Sequence, residues 1–113
     1  MPEKTVTIGG IDVPMKANAA TPRHYRNKFG SDLLAAMTMM RQGRAVPEAI
    51  ENLAYIMAKQ ADQTITEDVT EWLDQFDGPM DIRNATPGIL SLWGENIATT
   101  ADPKKKSEIQ SGS

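Results

Sequence analysis

The sequence predicts an α+β fold that is mostly helical, with an N-terminal β-hairpin packed on a bundle of about five short helices. Three observations predict it. A Gly-Gly pair near the N-terminus is flanked by alternating apolar and polar residues, and the rest of the chain shows apolar residues at helical spacing between capping and breaking signals. The 113 residues are 40% hydrophobic and 24% charged, as in an ordinary globular domain.

The segment "KTVTIGGIDVPMKA" predicts the hairpin, because two-residue turns in hairpins favour glycine at positive φ. A turn at Gly9-Gly10 places Ile8 opposite Ile11 and Val6 opposite Val13. These four side chains share one face, which we expect to lie on the helices because an isolated hairpin is only marginally stable.

The next segment, "TPRHYRNKFGSDLLAAMTMMRQG", predicts two helices in quick succession. Thr21 is the expected N-cap of the first helix, with a proline at the next position, and Gly30 is the expected left-handed stop. Ser31 is the expected cap of the second helix, which should end at Gly43.

Three more helices are predicted in the remainder of the chain. Pro47 should start the third, and "TITEDVTEWLDQF" should form the fourth, with acidic residues in its first turn. The pair Thr86-Pro87 should start the fifth, whose periodicity fades after Asn96. We therefore predict one hairpin-plus-helical domain over residues 1–98 and a flexible polar C-terminal tail over residues 99–113.

The composition argues against several classes of function. The chain has no cysteine and one histidine, His24, so neither a thiolate metal site nor a histidine-based catalytic triad is expected. The acidic residues fall on predicted solvent-facing helix surfaces. We predict no catalytic residues, no metal, no cofactor and no enzyme activity. Neither a membrane span nor a signal sequence is apparent, so we expect the chain to remain in the cytoplasm.

Charge is distributed unevenly along the chain. Residues 16–44 hold six basic residues and one acid, a net charge of +5, whereas residues 45–103 hold eleven acids and two bases, a net charge of −9. Opposite poles can promote self-association or binding to a mixed-charge partner, although two solvated faces of different sign are the simpler interpretation. The net charge of −3 disfavours nucleic acid as a partner.

Two segments, "TVTIGGIDVPMKANAATPRHYRNKFGSDLL" and "LSLWGENIATTADPKKK", carry a series of short motifs in a fixed order. They resemble the two ends of small tail assembly chaperones encoded by long-tailed phages and prophages of Gram-positive bacteria. Met15 stands where that family has an aromatic residue, at a position that is expected only to pack. The matching N-terminal residues are Ile8, Gly9, Gly10, Val13, Lys16, Ala17, Ala19, Ala20, Thr21, Pro22, Tyr25, Phe29, Gly30 and Asp32.

This resemblance implies a binding protein that coats the long, apolar tape-measure protein during tail assembly in the host bacterial cytoplasm and is absent from the mature virion. The tail-tube subunit and a longer form of the chain itself are further candidate partners. Met39 is a candidate contact, because flexible methionines suit surfaces that bind varied apolar partners. Helical phase places the expected contact surface around Met39, Tyr55, Ile56 and Trp93. Burial in the core is the competing expectation for Trp93.

The lysine run at Lys104, Lys105 and Lys106 has an interpretation at the level of the gene. In the family that the chain resembles, the chaperone gene often ends near a slippery adenine-rich stretch, and a −1 frameshift there yields the longer product. The competing interpretation is a disordered basic end.

Two other classes of function stay open from the sequence. One is a structural virion component, such as a head–tail connector or tail subunit. The other is a small DNA-binding regulator, because "TPRHYRNKFGSDLL" loosely matches a helix-turn-helix. Tyr25 and Phe29 are expected to pack in the core, which weakens that second interpretation.

Overall fold

The computed structural model describes residues 3–44 and 46–101, with side chains described as far as Gly94. Its fold is α+β and mostly helical, which confirms the predicted class. The elements in order are β1 (Glu3–Ile8), β2 (Ile11–Lys16), α1 (Thr21–Phe29), α2 (Leu33–Arg41), α3 (Pro47–Ala61), α4 (Val69–Leu73) and α5 (Asp81–Ala101).

The hairpin forms in the predicted register. Val6 pairs with Val13 and Ile8 with Ile11, and Gly9 and Gly10 have φ of +57° and +83°, which a primed two-residue turn requires. One face of the hairpin is buried against the helices, where β1 lies on α5 and β2 lies on α3. Ile11 is the exception on this face, because its side chain stays exposed beside the turn.

The start of α1 differs from the prediction, although its end does not. Ala20, not Thr21, is the cap residue, and Gly30 ends the helix at φ 74° as expected. Thr21 is fully buried, and its hydroxyl accepts from the Asn18 amide at 2.9 Å and donates to Gln60 Oε1 at 2.6 Å. The hydroxyl therefore joins α1 to α3 and is not used to cap the amides of its own helix.

Aspartates cap α2 and α4. Asp32, and not the predicted Ser31, caps α2 by accepting from the Leu34 amide at 2.9 Å. Asp68 caps α4 by accepting from the amides of Thr70 and Glu71 at 3.0 and 3.3 Å. The predicted fourth helix was too long, since only Val69–Leu73 is helical.

Helix α5 begins at Asp81, so the predicted start at Thr86-Pro87 is wrong. The Asp81 carboxylate accepts from the Gly78 amide at 3.1 Å, which satisfies a donor at the helix start as a capping box does. Pro87 lies inside the helix, where the Thr86 hydroxyl donates to the Ile82 carbonyl at 3.1 Å. The helix continues to Ala101, past both Asn96 and the domain boundary predicted at residue 98.

The core is built around α3. This helix packs against β2, α1, α2, α4 and α5, so it is covered on most sides. Its buried residues accordingly exceed a single stripe, as expected for a central helix. They are Ile50, Leu53, Ala54, Tyr55, Ile56, Met57 and Ala58.

Candidate functional site

Helix α2 carries more apolar surface than the fold buries. Seven of its nine residues, "LLAAMTMMR", are apolar, yet only Leu33 and Met37 are buried. Leu34 is 53% exposed, and Met39 and Met40 are half-buried. Helix α2 packs mainly against α1 and α3. Apolar side chains on its other sides are therefore left accessible to a partner.

An open cleft of about 280 Å³ separates α2 from α5. We call it the α2–α5 cleft. Met37 and Trp93 are buried, while Met40 and Leu90 are half-buried at its sides. The residues that line the cleft are Met37, Met40, Arg41, Leu90 and Trp93.

A second opening, the α2–α3 groove, lies on another side of α2. It holds about 440 Å³ and is lined by Met39 and Ala36 from α2, with Asp32 and Glu48 contributing charge. Val46 and Pro47 line it as well, and they also line a neighbouring opening of about 520 Å³ between α3 and α5. The two openings thus adjoin the same two residues at the start of α3.

The opening between α3 and α5, which we call the α3–α5 groove, is mainly apolar. Met80 lies in it and is 49% exposed, and Pro87 and Ile50 add further apolar surface. Glu51 and Arg83 supply charges of opposite sign. The three openings together surround the apolar surface formed by α2, the start of α3 and one face of α5.

The structure does not bring the four predicted contact residues onto one exposed surface. Tyr55 is 1% exposed and Ile56 and Trp93 are each 5% exposed. The expectation of an exposed surface is therefore wrong for Tyr55 and Ile56, whereas Trp93 shows the core burial that was its competing expectation. Met39 is half-buried in the α2–α3 groove, and Trp93 lines the α2–α5 cleft. Tyr55 and Ile56 border a different cleft, which we call the polar cleft. Its other lining residues are His24, Lys28, Lys59, Gln60, Gln63 and Glu67.

The physical reason is the central position of α3. Tyr55 and Ile56 fall outside the buried stripe that helical spacing predicts for α3, which is Ile50, Leu53, Ala54, Met57 and Ala61. Both are nevertheless buried, because β2 and the other four helices pack around α3. The Tyr55 hydroxyl donates to the Thr66 carbonyl at 2.6 Å. Burial raises the pKa of the Tyr55 hydroxyl, while the nearby Lys59 ammonium acts in the opposite direction. The role of these residues in binding a partner stays a prediction.

The polar cleft holds an ion triad. Lys59 Nζ lies 2.9 Å from Glu67 Oε2, and Lys28 Nζ lies 3.8 Å from Glu67 Oε1. Lys59 also donates to the carbonyls of Gln63 and Ile65, so it holds the loop between α3 and α4. The hydrogen bond from Lys59 is the main reason that the pKa of Glu67 lies below its usual range.

The sequence contained signals for the apolar surface that the prediction did not use. Seven apolar residues in nine exceed what one buried stripe of α2 needs, so some had to remain accessible. The contributions of Leu90 and Arg41 were missed because the cleft depends on how α5 lies relative to α2. Lys104, Lys105 and Lys106 lie outside the described residues.

Two features are absent from the described residues. None of the helices they form is long and apolar enough to span a membrane. In the same part of the chain, no group of three or more histidine, aspartate and glutamate side chains is placed to hold a metal ion.

No protein-family model, curated protein or solved structure matches the chain.

Proposed function

We propose that this chain is a phage tail assembly chaperone that binds the tape-measure protein and keeps it in solution while the tail is assembled. The proposal starts from the sequence resemblance at both ends of the chain. The structural observation that supports it most is the under-buried apolar helix α2, flanked by open apolar clefts. Such a surface suits the apolar face of a partner helix.

The proposed mechanism requires contacts that are adaptable and individually weak. Methionine side chains are flexible and polarisable, so Met39 and Met40 can adjust to different apolar partners along a long client. Many copies bound along one client would hold it through avidity, and the tail-tube subunits could then displace them one at a time. The net charge of −3 on each copy would help to keep the coated client dispersed.

We further propose that the gene yields a second, longer product by −1 frameshifting near Lys104, Lys105 and Lys106. Lysine codons are AAA or AAG, so three successive lysines are compatible with a slippery heptamer such as A-AAA-AAG. Sequencing the gene tests this directly. A gene without such a heptamer and without an overlapping frame excludes the longer product.

Co-expression tests the chaperone activity. The tape-measure protein should be the product of a very long frame downstream of this gene, and it should shift from the pellet to the supernatant when this chain is present. A chain with two substitutions on α2, Met39→Ser and Met40→Ser, should fold yet lose much of this effect. The matched control is Thr38→Ser together with Gln42→Ser, at exposed positions on the same part of the chain.

Two other outcomes would replace the proposal. Stoichiometric recovery of the chain from purified virions would identify a structural component. A shift of labelled DNA that weakens steeply with salt would identify a nucleic-acid-binding protein.

A further inference from the structure

We infer that the α2–α5 cleft binds one amphipathic helix of the client, a helix that carries a carboxylate beside its apolar stripe. This inference rests on the proposed function and assigns to that function a site and a partner chemistry. It follows from the size, lining and charge of the cleft.

The lining of the cleft fits apolar side chains. Met37 and Trp93 form the base of the cleft, because both are buried in the core, and Met40 and Leu90 lie half-buried at its sides. A closed apolar cavity of about 150 Å³ accommodates a benzene molecule. The cleft of about 280 Å³ therefore has room for roughly two large apolar side chains, such as those at positions i and i+4 of a helix.

The charge at the cleft favours a partner helix that carries an acidic residue. Arg41 is the one charged residue among those that line it. Its guanidinium donates to Thr38 Oγ1 at 3.3 Å, a contact within its own helix, and forms no ion pair with any residue that the structure describes. A guanidinium offers five N–H donors in a planar fork that matches a carboxylate, so an acid on the client could pair with it.

The other two openings do not share this preference for an acidic helix. The α2–α3 groove is lined by the acids Asp32 and Glu48, and the α3–α5 groove by the opposite charges Glu51 and Arg83. An acidic helix is therefore favoured at the α2–α5 cleft, where the lining charge is cationic. A basic helix should be disfavoured there for the same reason.

Binding of two fluorescent model peptides to the full chain tests the inference. Both peptides are helical with the same leucine stripe, and they differ only in having glutamate or lysine at the positions flanking that stripe. We expect the glutamate peptide to bind with a Kd about fivefold lower at low salt. Met40→Ser should weaken both peptides by about the same factor, while Arg41→Glu should abolish or reverse the preference between them.

Arg23→Glu is the matched control, because it makes the same change in net charge at an exposed site on α1 that lines none of these openings. It should leave the preference intact. Equal binding of the two peptides, or a preference that survives Arg41→Glu, would overturn the inference. So would sedimentation showing that a second copy occupies the cleft, as a dimer that Met40→Ser dissociates.

These outcomes are separable from the fate of the proposed function. If the chain keeps the tape-measure protein in solution on co-expression but does not prefer the glutamate peptide to the lysine peptide, only the site assignment fails. If the preference is observed but the tape-measure protein stays in the pellet, the proposed function fails and the peptide-binding cleft remains.

Discussion

The ring of Tyr55 on α3 meets the ring of Trp72 on α4 edge to face, with centroids 5.7 Å apart and planes inclined by 73°. This pair belongs to a continuous series of edge-to-face contacts that runs from α1 to the residues after α4. The series passes through Tyr25, Phe29, Tyr55, Trp72 and Phe76. It explains how a helix of only five residues, α4, is held on the domain.

Removing the ring of Trp72 should therefore release α4. We expect Trp72→Ala to lower the free energy of unfolding by about 3–5 kcal/mol, because it deletes a buried indole and two ring contacts. Leu73→Ala, at the half-buried neighbouring position, should cost clearly less. Urea denaturation followed by circular dichroism measures both, and equal losses would contradict the assigned role of the rings.

A second prediction concerns the contribution of the buried Thr21 hydroxyl to stability. Thr21→Val keeps the shape of the side chain but leaves the Asn18 amide and Gln60 Oε1 without the hydroxyl that each contacts. We expect a loss of about 1–3 kcal/mol in the free energy of unfolding, because the substitution removes a buried hydroxyl together with its two hydrogen bonds. Thr38→Val, on the exposed face of α2, should change it by less than about 0.5 kcal/mol. A loss at Thr21 as small as that at Thr38 would contradict the network.

Substitutions at the two adjacent glycines of the hairpin turn test whether the turn lies against the start of α5. Both Gly9 and Gly10 have positive φ, so alanine is strained at either position. A Cβ on Gly9 would clash with the Asp81 carboxyl group, at 2.7 Å from its Cγ, whereas a Cβ on Gly10 would meet nothing within 4 Å. Gly9→Ala should therefore be the more destabilising by about 1–3 kcal/mol, as measured by thermal or urea unfolding. Equal effects would mean that the turn does not lie on the start of α5.

The ion triad should make stability depend on pH in a defined direction. The pKa of Glu67 in the folded chain is held below its ordinary value of 4.5, chiefly by the hydrogen bond from Lys59. The carboxylate therefore contributes stability above that ordinary value, and the contribution disappears as the pH falls through the lowered pKa. The urea midpoint of the wild type should exceed that of Glu67→Gln at pH 6, and the difference between the two should shrink as the pH falls below 4.5. A constant difference across this range would exclude the triad as the cause.

The elements that the sequence predicted well are those set by local chemistry. The register of the hairpin follows from Gly9-Gly10 and the alternation around it, and the end of α1 follows from the left-handed conformation that Gly30 adopts. These signals act over a few residues and do not depend on how the helices pack.

Errors arose where tertiary contacts overrode a local signal. Thr86-Pro87 has the composition of a helix start, but the helix begins five residues earlier at Asp81, whose carboxylate accepts from the Gly78 amide, and Pro87 is accommodated inside it. Tyr55 and Ile56 lie off the expected stripe of α3, yet neighbours on several sides bury them. The α2–α5 cleft could not be predicted, because Leu90 and Arg41 are far apart in sequence and their proximity depends on the assembled fold.

The central claim is that the apolar surface around α2 shields a long helical client. The most direct measurement is the fraction of the tape-measure protein that stays in the supernatant after co-expression with this chain, compared with the Met39→Ser, Met40→Ser chain. We predict a large soluble fraction with the wild-type chain and a much smaller one with the doubly substituted chain at equal expression. A tape-measure protein that stays in the pellet with the wild-type chain, in both its short and its longer form, would contradict the account.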